Sequence, residues 1–377
     1  MAPDRLKPAL ETNLPGCLWL LWFDSNGRAE AGTAKDLDRV GRPGEVFIWL
    51  HLDLTDNRTR SLIERLDALT EDSRTPFVEP VDHQFLEYSD GIVSGALLDH
   101  ERDLSGRTTQ TDFLRFAFGS NFLVSARRKP LNAVERTRLA LSKGELTPSP
   151  LALFEALTEK LCDELSSMID AIGITLDGIE DRIIEGRGRN ERATLGPARR
   201  DAVRLTRQIG GLNSILLRLE NAVDADEHEE LREAAARLAQ RTDALTRDIS
   251  SIQERARLLQ DELTAILNLE TNDRLYVLTV VTTLLLPATF ITGYFGMNTK
   301  QLPFSESAYG SLYATILCAC ASLSVLLFMR RLGLTRSGDA GSETRSPASK
   351  PPATVVPPKP SATRSDATRD CERQTLF

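Results

Sequence analysis

LYVLTVVTTLLLPATFITGYFGMNT, residues 275–299, is a run of 25 residues without a charge, set between Arg274 and Lys300. A bilayer core of about 30 Å takes about 20 apolar residues in a helix, so this run is long enough to cross. A second uncharged run, Ser307 to Met329, is closed by Arg330 and Arg331, and a short loop containing Lys300 and Glu306 separates the two. Buried helices of soluble proteins usually run about 8–20 residues, which argues against a hairpin hidden in a soluble core. Two crossings place both termini on one side. Arg274, Arg330, Arg331 and Arg336 make that side the cytoplasmic one.

Outward from the spans, composition sets further bounds. The 377 residues are 41% hydrophobic and 27% charged, with a net charge of −8, which fits a large core and excludes a wholly disordered or fibrous chain. The last 47 residues carry eight Lys/Arg against five Asp/Glu, so the tail is near +3 and residues 1–330 are near −11. An acidic body without a clustered Lys/Arg patch argues against nucleic acid as a partner. Five cysteines, at 17, 162, 318, 320 and 371, are odd in number and nowhere spaced C-x-x-C, so neither a disulfide framework nor a zinc finger is indicated. The N-terminus has no apolar h-region of the kind a secretory signal needs.

Upstream, CLWLLWF (17–23), EVFIWLHLDL (45–54), GIVSGALL (91–98), DFLRFAFG (112–119) and NFLVSARR (121–128) read as short strands. Gly119-Ser-Asn121 makes a tight hairpin of the last two. RTRSLIERLDAL (58–69) has helical spacing. From Pro150 to Asn272 the pattern predicts three long helices, broken at 186–190 and at the acidic run 224–230. In the last helix Leu238, Leu245, Ile252, Leu259 and Ile266 recur every seven residues, with Ala235, Thr242, Ile249, Ala256 and Leu263 between them, the spacing of a coiled-coil seam. No Gly or Pro occurs between Leu231 and Leu286, so one helix of roughly 100 Å is expected to run into the first span. After Leu332 the sequence is rich in proline and poor in large apolar residues, and a disordered tail is expected.

On the first span, Asn272, Leu275, Thr279, Thr282, Leu286, Thr289, Gly293 and Gly296 follow one another at alternating steps of three and four and so share one helical face. Two helices cannot enclose an aqueous path, so if this face lines a pore, several copies must assemble about an axis. The same small and hydroxyl residues also let membrane helices pack closely. Asp163, Asp170 and Asp177 recur every seven residues, with Glu180 and Asp181 nearby. This row is either a solvated helix face or a regulatory cation site between subunits. His51, His83, His100 and His228 have no ligand spacing and read as structural. Cys318 and Cys320 diverge by roughly 200° on a helix and cannot chelate one ion together. No nucleophile elbow, phosphate loop or H-E-x-x-H is present, so an enzyme is not indicated.

The first span ends in Gly296-Met297-Asn298, and here the sequence resembles the CorA family of divalent-cation transporters, whose signature is Gly-Met-Asn at the end of the first of two C-terminal spans. The segment from Thr271-Asn272 through Leu278-Thr279 to Pro287–Ile291 and Gly293 is similar to the family's pore helix without a gap. Leu286–Gly293, with Phe47–Leu52 and Ala126–Leu131, is most similar to the ZntB-like zinc transporter branch. An intact Gly-Met-Asn suits the magnesium members, whereas Phe304 stands where those usually carry an acid.

The resemblance implies a CorA-like funnel, a homopentamer with an α/β cytoplasmic domain, a long α-helical stalk and two C-terminal transmembrane helices. Its implied parts are an N-terminal arm (1–14), the α/β domain (15–148), the stalk (149–272), the pore-lining first span (273–297), an external loop (298–306), the second span (307–330) and the cytoplasmic tail (331–377). Gly296, Met297 and Asn298 would form the mouth, with a hydrated cation at the Asn298 amides. Asn272 would lie at the cytoplasmic end, Leu275, Leu278 and Leu286 would be constrictions, and Thr289 a polar ring. Mg²⁺ sheds water reluctantly, and the uncharged run 275–299 offers no carboxylate, His or Cys to replace that shell. Transported Zn²⁺ or Mg²⁺ is then cargo with no cofactor, and the partners are further copies of the chain, membrane lipid and divalent cations. The expected place is the cell (inner) membrane. Zinc transport, for which the branch suggests a proton coupling that would want a titratable group the pore face does not offer, stands beside a magnesium/cobalt channel and a membrane-anchored coiled-coil sensor.

Overall fold

The computed structural model describes residues 14–24, 29–42, 44, 47–102, 110–144, 148–224, 228–297 and 309–331. Asn298, the loop 298–306 and the tail from 332 lie outside the described residues, as do the arm up to residue 13, Asp226, Glu227 and Cys371. The chain divides into two compact units, residues 1–269 and 270–377.

The first unit is built on a seven-stranded mixed sheet. Its strands are β1 (Cys17–Phe23), β2 (Ala29–Ala31), β3 (Phe47–Asp53), β4 (Phe85–Ser89), β5 (Ile92–His100), β6 (Thr111–Phe118) and β7 (Phe122–Arg127), in the order β2-β1-β3-β7-β6-β5-β4. β3 pairs with β7 in parallel, from Ile48↔Phe122 to Asp53↔Arg127, and the other pairs are antiparallel. Residues 47–52 of β3 are all buried because both faces of the sheet are covered. Alternation divides them: Phe47 and Trp49 enter one apolar cluster, Ile48, Leu50 and Leu52 the other. The hairpin at 119–121 forms as read, closed by the Gly119 N–H on the Phe122 carbonyl at 3.1 Å.

The cluster with Ile48 is roofed by two short helices, α1 (Arg58–Glu64) and α2 (Glu71–Val78); the helix expected over 58–69 forms only as far as Glu64, and α2 lies beyond it, unread in the sequence. The amides of Arg65, Leu66 and Leu69 bond three residues back, and this tightening lets Leu66 and Leu69 both reach the core. β4 was not legible either, since its residues are only half-buried or exposed. It joins β5 through Asp90 and Gly91, both at positive φ, 52° and 76°.

The opposite cluster is covered by α3 (Asn132–Ser142), α4 (Pro150–Ile184), α5 (Arg192–Ala222) and the first part of α6 (Glu229–Phe295). α4 begins cleanly because Ser149 Oγ accepts the Ala152 N–H at 3.1 Å and Pro150 occupies the first turn. It stops where Gly186 takes φ +74° and its N–H bonds the Ile183 carbonyl at 2.9 Å. In α6 the heptad positions Ala235, Leu238, Thr242, Leu245, Ile249, Ala256, Leu259 and Leu263 are buried, and Ile252 and Ile266 pack against the same cluster. The second unit contains the rest of α6 and α7 (Gly310–Arg331), and among the described residues these two helices are long and apolar enough to cross a membrane.

Candidate functional site

In the second unit the two helices touch through side chains spaced four apart. Ser322 Oγ donates to the Leu284 carbonyl at 3.2 Å, and Cys318 Sγ approaches the Ala288 carbonyl at 3.9 Å. Leu284, Pro287, Ala288 and Ile291 are half-buried on this side. Asn272, Leu275, Thr279, Thr282, Leu286, Thr289, Gly293 and Gly296 are all exposed, so the face read from the sequence is left uncovered by α7. Leu278, which flanks the row, is 63% exposed.

The chemistry this face presents follows from where its hydroxyl protons go. Thr279, Thr282 and Thr289 donate to the carbonyls of Leu275, Leu278 and Leu285 at 2.8, 2.7 and 2.9 Å. Each threonine thereby satisfies its donor inside the helix and turns acceptor lone pairs and a methyl group outward. With leucines, glycines and the Asn272 amide between them, the row offers acceptor oxygen and apolar surface but no ionisable group. A Cβ at Gly293 would meet nothing within 4 Å, so the backbone is open to approach there. The helix ends at Phe295, and the Gly296 N–H returns to the Thr292 carbonyl at 2.9 Å. Met297, 48% exposed, follows it.

The acidic row on α4 is partly neutralised within the chain. Asp163 is within 3.3 Å of Lys160 and 3.6 Å of Arg241, and Arg255 pairs with both Asp177, at 2.5 Å, and Glu180. Asp170 and Asp181 make no ion pair with other described residues. Among the described residues no group of three or more His, Cys, Asp or Glu is placed to hold a metal ion.

His51 and His100 are buried in the fold, whereas His83 and His228 lie exposed at the surface. His51 is fully buried, stacked on Trp19 with ring centroids 4.1 Å apart, and its Nδ1 lies 2.8 Å from Ser125 Oγ, which also accepts from Trp49 Nε1 at 2.9 Å. Burial, helped by the Arg127 charge, holds its pKa well below the usual imidazole value. His83 lies against Asp82 at 2.6 Å, His228 stands edge-on to Tyr88, and His100 is buried. Burial also pushes the Cys162 thiol up to about 12, which leaves it inert.

Asp99 is the polar residue that sequence reasoning missed. It has no exposed surface, accepts the His100 and Ala133 N–H groups at 2.7 and 2.9 Å, and burial raises its pKa to about 7. The one signal was an acid directly after the apolar stretch Ala96–Leu98 of its strand.

A covered α/β sheet, long helices after it and a C-terminal pair of membrane-length helices, the first with an uncharged polar face, are the parts of a two-span membrane protein. Residues 44–331 match the family of CorA-like Mg²⁺ transporter proteins, and the chain belongs to it. It is similar to the zinc transport protein ZntB of Pectobacterium carotovorum subsp. carotovorum (strain PC1), 23% identical over 267 residues, 70% of this chain and 80% of that one. Its fold is similar to the full-length CmaX protein, with a TM-score of 0.71, 19% identity and coverage of 86% of this chain and 99% of that one. The CorA magnesium transporter from Methanocaldococcus jannaschii is also similar, with a TM-score of 0.68, 15% identity and coverage of 83% and 98%. This is a family of transporters and not of enzymes.

Proposed function

We propose that the chain carries divalent metal cations across the cell (inner) membrane, zinc first, through a pore made by five copies of the first span. The observation that carries this is the row from Asn272 to Gly296, exposed in the single chain and free of ionisable groups, on the side of α6 away from α7. Acceptor oxygens directed outward suit the donor hydrogens of a cation's water shell, and leucine rings between them gate by dewetting. In this reading Gly296, Met297 and Asn298 form the external mouth and Asn298 holds the hydrated cation. Leu275, Leu278 and Leu286 constrict the path, and Thr279, Thr282, Thr289 and Gly293 line it. Residues 273–297 and 307–330 cross the membrane, 298–306 join them outside, and both termini are cytoplasmic.

Similarity to a named zinc transport protein supports zinc. A second reading, a magnesium/cobalt channel, is favoured by the intact Gly296-Met297-Asn298. A regulatory cation at Asp163, Asp170, Asp177, Glu180 and Asp181 would take carboxylates from a neighbouring copy, because Arg241 and Arg255 already neutralise part of the row. The lining is tested with Thr282→Cys, Thr289→Cys and Val281→Cys in proteoliposomes. A charged thiol reagent should block uptake through the two threonine positions and not through Val281, measured against the unsubstituted chain with its own cysteines. Equal sensitivity at all three contradicts the lining.

A further inference from the structure

We propose that the end of the helical hairpin carrying Arg274, Arg330 and Arg331 holds the headgroup phosphate of an anionic phospholipid, an inference that rests on reading α6 and α7 as membrane spans. The contacts Ser322–Leu284 and Cys318–Ala288 share one antiparallel register, four residues along one helix for four back along the other. Continued to the other end of the hairpin, that register puts Arg330 level with Tyr276 and Arg331 level with Leu275, and Arg274 follows one residue on. At a rise of about 1.5 Å per residue, the three arginines lie within about one helical turn of a single level.

Arg330 and Arg331 are exposed and make no ion pair with other described residues. Arg274 pairs with Glu270 at 3.9 Å with its side chain 77% exposed, and Asp273 adjoins it, so the excess positive charge rests on the α7 pair. Both helices continue these positions as exposed apolar strips: Val277, Val281 and Leu285 after Arg274, and Leu327 and Leu323 before Arg331. A phosphate seated between Arg330 and Arg274 leaves its acyl chains along those strips, and Arg331, nine residues after Ser322 and so turned to the far side of α7, adds positive charge at the same level. Guanidinium forks match phosphate oxygens, while a zwitterionic headgroup brings an ammonium that competes for the same phosphate, so a net negative lipid is preferred.

The test uses the full chain in nanodiscs of phosphatidylcholine with and without phosphatidylglycerol, reading retained lipid by native mass spectrometry and the thermal midpoint. Wild type should retain phosphatidylglycerol over phosphatidylcholine and melt higher in its presence. Arg330→Gln with Arg331→Gln should weaken that preference about 25-fold, about fivefold per arginine, and Arg274→Gln should weaken it less. No preference in wild type, an unchanged preference in the double variant, or stabilisation by inorganic phosphate alone overturns the site. Any of those results with normal metal uptake leaves the transport reading standing, whereas a chain that fails to enter the nanodisc overturns both.

Discussion

Asp99 joins β5 to α3 through the Ala133 N–H, accepts the His100 N–H of its own strand on its other oxygen, and does so without solvent. Its pKa in the fold, about 7, lies above the ordinary 3.8. Between those values the folded chain holds a proton that the unfolded chain has lost, so stability falls as pH rises from about 4 to about 7. Asp99 therefore works to lower the thermal midpoint of the detergent-solubilised chain from pH 5 to pH 8, against the opposite slope from buried His51 and His100, whose pKa values are depressed. Asp99→Asn should then gain in midpoint relative to wild type as pH rises, even where it lowers the midpoint itself. An equal slope in the variant contradicts the assignment. Ser125 is a second such residue: Ser125→Ala strands Trp49 Nε1 and His51 Nδ1 in the core and should cost about 2–4 kcal/mol in chemical unfolding. Neither role was legible beforehand, because a lone Asp or Ser in a strand does not say which neighbour it will meet across the sheet. The span face was legible, because its spacing lies within one helix.

Among the elements, α6 is the one whose sequence says most about it. Its heptad positions are buried as the period requires, since a repeat of seven in one long helix keeps a single stripe turned to its neighbours. Leu245→Ala should cost about 2–4 kcal/mol, the usual range for emptying a core leucine site. Arg255→Ala should cost under about 1 kcal/mol, because its pairs with Asp177 and Glu180 are solvent-exposed. Denaturant midpoints of the two variants would separate a stripe held by packing from one held by charge. The short elements were harder to read. The sequence pattern carried α1 on to residue 69 because Leu62, Leu66 and Leu69 keep helical spacing across a turn, α2 beyond it was not read, and β4, half-exposed, has no apolar alternation to reveal it.

At the scale of the whole molecule, two helices with one uncovered polar face do not make a conduit, so the account needs self-assembly about that face. The family and both membrane-length helices were legible, because an uncharged run of 25 residues and a Gly-Met-Asn at its end survive without knowledge of the fold. Sheet order was not, since only β3 and β7 pair in parallel and nothing local marks that crossover. The most direct measurement is tracer uptake of Zn²⁺ and Mg²⁺ into proteoliposomes, with and without an inward proton gradient, by wild type and by Asn298→Ala at matched incorporation. Zinc should enter with wild type and fail to enter with the variant, while the variant assembles normally. Absence of uptake of either ion by wild type, or an undiminished rate in Asn298→Ala, would contradict the account.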